Sequence, residues 1–143
     1  MRKILMAAAL TIAAGGPLGA QEMSPRATFV LHCAGCHRMD GQGSLPGGIP
    51  AFPDSVGHIA NTDEGRTYIM HVPGVLGASL TDAEIAEVVN YILETWSDGA
   101  PRFDEAEVTR RRAIPVPDVV RKRREIVAEL AEQGIPLSTY PWP

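Results

Sequence analysis

From Leu80 to Trp96 the chain places apolar and polar residues in the rhythm of a helix. Ile85, Val88, Val89, Ile92 and Trp96 recur at three- and four-residue steps, so they share one face. Thr81 and Glu84 stand ahead of them as a capping box, in which each side chain accepts from the other's backbone N–H. Ser24-Pro25 is a second helix start: serine caps free backbone N–H groups, and proline is pre-set for the first helical position. That helix runs from about Pro25 toward Cys33. Thr62-Asp63-Glu64 is a third start, with acids at the positive end of the helix dipole. It carries Tyr68, Ile69 and Met70 to a stop near Val72-Pro73-Gly74. Between them Leu45 to Pro53 (LPGGIPAFP) reads as a loop. Beyond a linker at Ser97 to Pro101, the segment Phe103 to Arg112 has acids first and arginines last, the order a short helix favours. Asp118 to Gln133 forms another helix, with Val119, Val120, Ile126, Val127 and Leu130 on a partial apolar stripe and Gly134 as its end. The fold class that follows is all-α.

The first segment has a different pattern. Arg2 and Lys3 precede an apolar run from Ile4 to Ala14, broken by Gly15, Gly16, Pro17 and Gly19. This is the layout of an export signal, with Ala20 as its last residue. The run is too short to span a bilayer, which takes about 20 apolar residues. The expected organisation is a signal peptide over 1–20, one domain over 21–98 and a charged helical extension over 99–143. Of 143 residues, 13 are basic and 17 acidic, for a net charge of −4. Losing Arg2 and Lys3 takes the mature chain to about −6. The charge is uneven. Residues 21–98 hold three arginines against ten acids, and residues 99–143 hold eight basic residues against seven acids. A negative, exported chain is not a nucleic-acid binder.

The two cysteines of the chain lie in Cys33-Ala34-Gly35-Cys36-His37. Two thiols two residues apart with histidine directly after the second is the attachment signature of c-type haem. The thiols add across the two haem vinyl groups as thioethers, and His37 supplies the proximal nitrogen to iron. Other readings of a Cys-x-x-Cys pair exist. A thioredoxin-type pair wants a βαβ context, for which no pattern is present. A closed zinc site usually takes four Cys or His ligands, and His32, His58 and His71 have no paired metal spacing. A plain disulfide fits an oxidising compartment.

With this motif, the Gly-rich turn Arg38-Met39-Asp40-Gly41-Gln42-Gly43 and the LTDAEIAEVVNYIL helix, the chain resembles the class I (small, monohaem) cytochromes c over Ser24 to Ser97. The resemblance implies three to four short helices around one covalent haem c, with the haem as part of a core otherwise thin for roughly 80 residues. It implies that Phe29 meets Tyr91 across the first and last core helices, and that a proline carbonyl, Pro50 or else Pro46, accepts a hydrogen bond from His37. It implies export to the periplasm and single-electron transfer between redox partner proteins, a donor dehydrogenase and a downstream acceptor, with no catalytic residues. The arrangement also resembles accessory cytochromes of periplasmic quinoprotein-type dehydrogenases. The family usually draws its sixth iron ligand from the loop before the last helix, and Pro73 to Leu80 contains no methionine. Met70 is the first candidate and His71 the second. In a third reading neither ligates, which leaves an open site for a small ligand and makes a haem enzyme or sensing module the alternative function. Neighbours on one helix point in different directions, so at most one of the two faces iron.

Overall fold

The computed structural model describes residues 23–137. The export signal over 1–20 and the aromatic end after Leu137 lie outside the described residues. Eight helices follow in order among them: α1 (Pro25–His32), α2 (Ala34–His37), α3 (Val56–Ala60), α4 (Asp63–Ile69), α5 (Pro73–Leu76), α6 (Asp82–Trp96), α7 (Glu105–Arg112) and α8 (Val119–Glu132). Among the described residues the one extended pairing is an isolated antiparallel bridge between Ser44 and Ile49. The all-α expectation holds.

The helix starts are where the caps place them. The Ser24 hydroxyl accepts from Ala27 N–H, and Thr62 does the same for Gly65. Thr81 and Glu84 make the full capping box. Asp104 and Asp118 cap α7 and α8. Two short helices, α3 and α5, went unread in the sequence, because four or five residues carry too little periodicity. Six helices precede the extension against the three to four expected, since α3 and α5 went unread and the first expected helix is two. The helix leading into the cysteine motif also breaks at Cys33, whose backbone (φ −120°) leaves α1 and caps α2.

One core runs through all of this. Phe29 of α1 packs with Ile85, Val88, Val89, Ile92 and Leu93 of α6. Phe103, Val108, Ile126 and Leu130 bring the extension into the same cluster. Burying each of these side chains contributes about 1.5–3 kcal/mol. The described residues beyond Ser97 are therefore packed structure.

The polar seam between α4 and α7 is equally specific. Arg66 is 8% exposed. Its guanidinium donates from Nε and Nη2 to the two carboxylate oxygens of Glu107, at 2.7 and 2.6 Å. The remaining donors reach the carbonyls of Ala60, Pro101 and Arg102, and the cation sits 3.7 Å over the Phe103 ring. Arg111 donates to Glu107, to the Asp63 carbonyl and carboxylate, and to the Thr67 hydroxyl. Two buried cations thus share one carboxylate, and every group is hydrogen-bonded, the condition under which burying charge is tolerated. Asn90 of α6 completes the attachment: its amide donates to the Phe103 carbonyl and its oxygen accepts from Phe103 N–H. Pairs at the surface, Arg112 with Asp82, Lys122 with Glu64 and Arg102 with Glu94, add less.

Candidate functional site

The cysteine motif is a single helical turn. The Cys33 carbonyl accepts from both Cys36 N–H (3.2 Å) and His37 N–H (2.9 Å), so the two thiols and the imidazole come off one short arc of backbone. Both thiols are free, Cys33 half-buried and Cys36 exposed. Burial, with the neighbouring Cys36 adding to it, pushes the Cys33 thiol up to about 11. A redox-active pair of the thioredoxin kind needs a thiol lowered toward neutrality, so this environment disfavours that chemistry. Among the described residues no group of three or more His, Cys, Asp and Glu is placed to hold a metal ion.

The His37 ring is oriented from two sides. Its Nδ1 lies 3.2 Å from the Pro50 carbonyl. A carbonyl only accepts, so Nδ1 carries the proton and Nε2 is left with its lone pair. Of the two prolines offered by the sequence, Pro50 makes this contact. Phe52 stacks on the ring at 4.0 Å with 15° between planes. Burial lowers the His37 pKa, with the Pro50 hydrogen bond opposing it, which favours the neutral ring a metal needs.

Phe52 passes the packing on. It touches Trp96 (5.3 Å), which touches Phe29 (5.2 Å), and Phe29 meets Tyr91 (5.6 Å). The expected Phe29–Tyr91 contact between the first and last core helices is present. The sequence reading missed Phe52. Its only local signal was an aromatic between Ala51 and Pro53, in a loop where such a residue has no helical face to belong to.

Tight backbone brings the loop to the motif. Gly43 N–H donates to the His37 carbonyl at 3.0 Å. Gly41 and Gly43 have φ of +70° and +62°. A Cβ on Gly43 would stand 2.4 Å from the Ile49 carbonyl oxygen, and one on Gly41 would stand 2.7 Å from the Trp96 ring. Only glycine fits either position. Arg38 is the strained member, with φ 65° and ψ 165°, a region almost confined to glycine and costing about 1–3 kcal/mol.

The other sequence candidates lie elsewhere. Met70 caps α4 and is 0% exposed; His71 is 9% exposed. His71 Nδ1 donates to the Thr67 carbonyl at 2.8 Å. His32 and His58 are exposed.

The donor set therefore fits haem c: two free thiols on one turn, then an imidazole with Nε2 unprotonated and its orientation held by a carbonyl and a stacked ring. No family model matches the chain, and no solved structure does. It is similar to a protein named cytochrome c-552 from Thermus thermophilus, 34% identical over 136 residues, covering 79% of this chain and 88% of the relative. It is also similar to the cytochrome c subunit of a quinone alcohol dehydrogenase from Gluconacetobacter polyoxogenes, 33% identical over 110 residues, 63% of this chain and 22% of that protein.

Proposed function

Because the chain belongs to the class I monohaem cytochrome c family, we propose that it is a periplasmic carrier of single electrons, with haem c on Cys33 and Cys36 and His37 as the proximal iron ligand. The bound haem supplies the redox couple, iron cycling between ferric and ferrous. What the chain supplies is attachment and fixed geometry. Cys33 and Cys36 hold the group by two thioether bonds. The Pro50 carbonyl keeps the proton of His37 on Nδ1 and strengthens Nε2 as a donor. Phe52, Trp96 and Phe29 exclude water from that side and hold the ring still. A carrier whose ligand does not move between oxidation states has little to reorganise, and this packing serves that end.

Residues 21–98 are the haem-bearing unit and residues 99–143 brace it through the Arg66–Glu107–Arg111 seam. The donor is a dehydrogenase, a reading supported by the likeness to a protein named as a dehydrogenase's cytochrome c subunit. Residues 1–20 direct export. No helix of the described residues is long and apolar enough to cross a membrane.

The observation that carries the reading is the His37–Pro50 hydrogen bond beside two free thiols. The test is expression of the full chain with export and haem attachment, read by absorption and by the mass of the denatured protein. The expected result is one haem retained after denaturation and reversible one-electron reduction. His37→Ala should lose the haem absorption bands of the parent and most of the folded yield. A His37→Ala protein with unchanged bands and normal yield would sink the assignment of the proximal ligand.

A further inference from the structure

The side chains of α4 are divided among its neighbours in a way that decides the sixth iron position. Asp63, Arg66 and Thr67 bond to Glu107 and Arg111 of α7. Glu64 pairs with Lys122 and Tyr68 meets Arg123, both on α8. Residues three and four apart stack on the same helical face. Met70 therefore continues the Arg66–Thr67 row, toward α7, and no part of it is exposed. His71 continues the Thr67 and Tyr68 rows, between α7 and α8. Helical side chains also lean back toward the N-terminus, and His71 does so, donating to the Thr67 carbonyl one turn earlier. Thr67 is in turn held through its hydroxyl by Arg111. Both candidates continue the rows of α4 that face the C-terminal extension, and the Nδ1 bond of His71 to a carbonyl leaves its Nε2 lone pair open, as at His37, so the direction of its row, not that bond, turns it from iron.

The stretch that follows offers no replacement. Residues 72–80 read VPGVLGASL, with no imidazole, thioether, thiol, amine or carboxylate among them. The remaining described histidines sit badly as well. His32 directly precedes Cys33 on the attachment segment. His58 lines a small cavity with Trp96, Ser97 and Asp98, so it lies on the side of the aromatic cluster that stacks on His37. Met39 is two residues from His37 and does not reach the opposite face of a planar ring system.

We infer that the haem proposed above has no side chain from the described residues as its sixth ligand, and that this position binds small neutral diatomic molecules such as carbon monoxide or nitric oxide. The preference for neutral ligands follows from charge: residues 21–98 hold three basic residues against ten acids, a field that opposes anions. The inference rests on the haem reading and is separable from it.

The experiment uses the full exported chain with haem attached, reduced anaerobically and exposed to carbon monoxide, alongside Met70→Leu and His71→Gln. Leucine keeps the volume of the thioether, and glutamine keeps a donor for the Thr67 carbonyl, so both variants fold. The expected result is a shift of the main absorption band on adding carbon monoxide, with the spectra of both variants matching the parent before and after. Bands unmoved by carbon monoxide would overturn the inference and leave the carrier reading standing. Conversion of a six-coordinate low-spin spectrum to a high-spin one by either variant would also overturn it and name the ligand. A chain with no covalent haem would remove both readings together.

Discussion

Removing the carboxylate of Glu107 should be the most damaging single change outside the haem motif. The Arg66 side chain is 10% exposed and that of Arg111 8%, and the Glu107 side chain between them is 14% exposed. Breaking a buried ion pair from one side typically costs about 3–5 kcal/mol, because an uncompensated charge stays behind. Here Arg66 keeps three carbonyls and the Phe103 ring, and Arg111 keeps Asp63, so Glu107→Ala belongs near the low end, about 3 kcal/mol. For a domain of this size that is a fall in Tm of about 10–15 °C. The same carboxylate gives a pH signature. Hydrogen bonding by Arg66, and then Arg111, lowers its pKa from 4.5 to about 2 despite opposing desolvation. A depressed folded-state pKa contributes stability that is complete above the unfolded value of 4.5 and is lost as pH falls through about 2. At about 1.4 kcal/mol per unit the full shift is worth about 3 kcal/mol, and solvent at the edge of the seam reduces this to about 2. The assay is thermal unfolding of the haem-loaded chain, followed by far-UV circular dichroism between pH 2 and 7, for parent, Glu107→Ala and Glu107→Gln. Glu107→Gln should flatten the acid limb. A Tm within about 2 °C of the parent at pH 7 for Glu107→Ala would refute the claim that the extension is clamped to α4 through this residue.

Two further substitutions probe the same architecture. Asn90→Ala leaves Phe103 N–H and C=O buried without their side-chain partner, and should cost about 2–3 kcal/mol in chemical denaturation. Gly65→Ala should destabilise although alanine favours helix by about 1 kcal/mol. The added Cβ would fall 1.9 Å from the Ile59 carbonyl oxygen, so α3 and α4 must separate, and a more stable Gly65→Ala protein would show that the turn between them yields freely.

The haem motif, the caps and the last core helix were legible because each is local. Thr81 and Glu84 are three residues apart, and Cys33, Cys36 and His37 share one turn. The Pro50 contact with His37 was legible through resemblance, since nothing in a proline marks its carbonyl as an acceptor. Phe52 was illegible because its partner, the His37 ring, is fifteen residues away across an irregular loop. The charged extension was legible as helices and illegible as core. Arg66 and Glu107 each look like solvated surface in the sequence, and their pairing spans 41 residues.

That same distance explains why the sequence left the sixth ligand open. Successive residues on α4 differ in direction by about 100°, so the face that Met70 and His71 adopt depends on how the helix is rotated about its axis. Its own residues settle that rotation weakly, because Arg66, Thr67, Tyr68, Ile69 and Met70 are all buried and the exposed polar residues are confined to Asp63 and Glu64 in its first turn. Glu107 and Arg111 settle it by gripping Asp63, Arg66 and Thr67. A helix some forty residues downstream thus fixes the face of α4 from which the rows leading to Met70 and His71 continue. In the open-site inference, the brace that stabilises the haem-bearing unit also turns its two nearest donors away from iron.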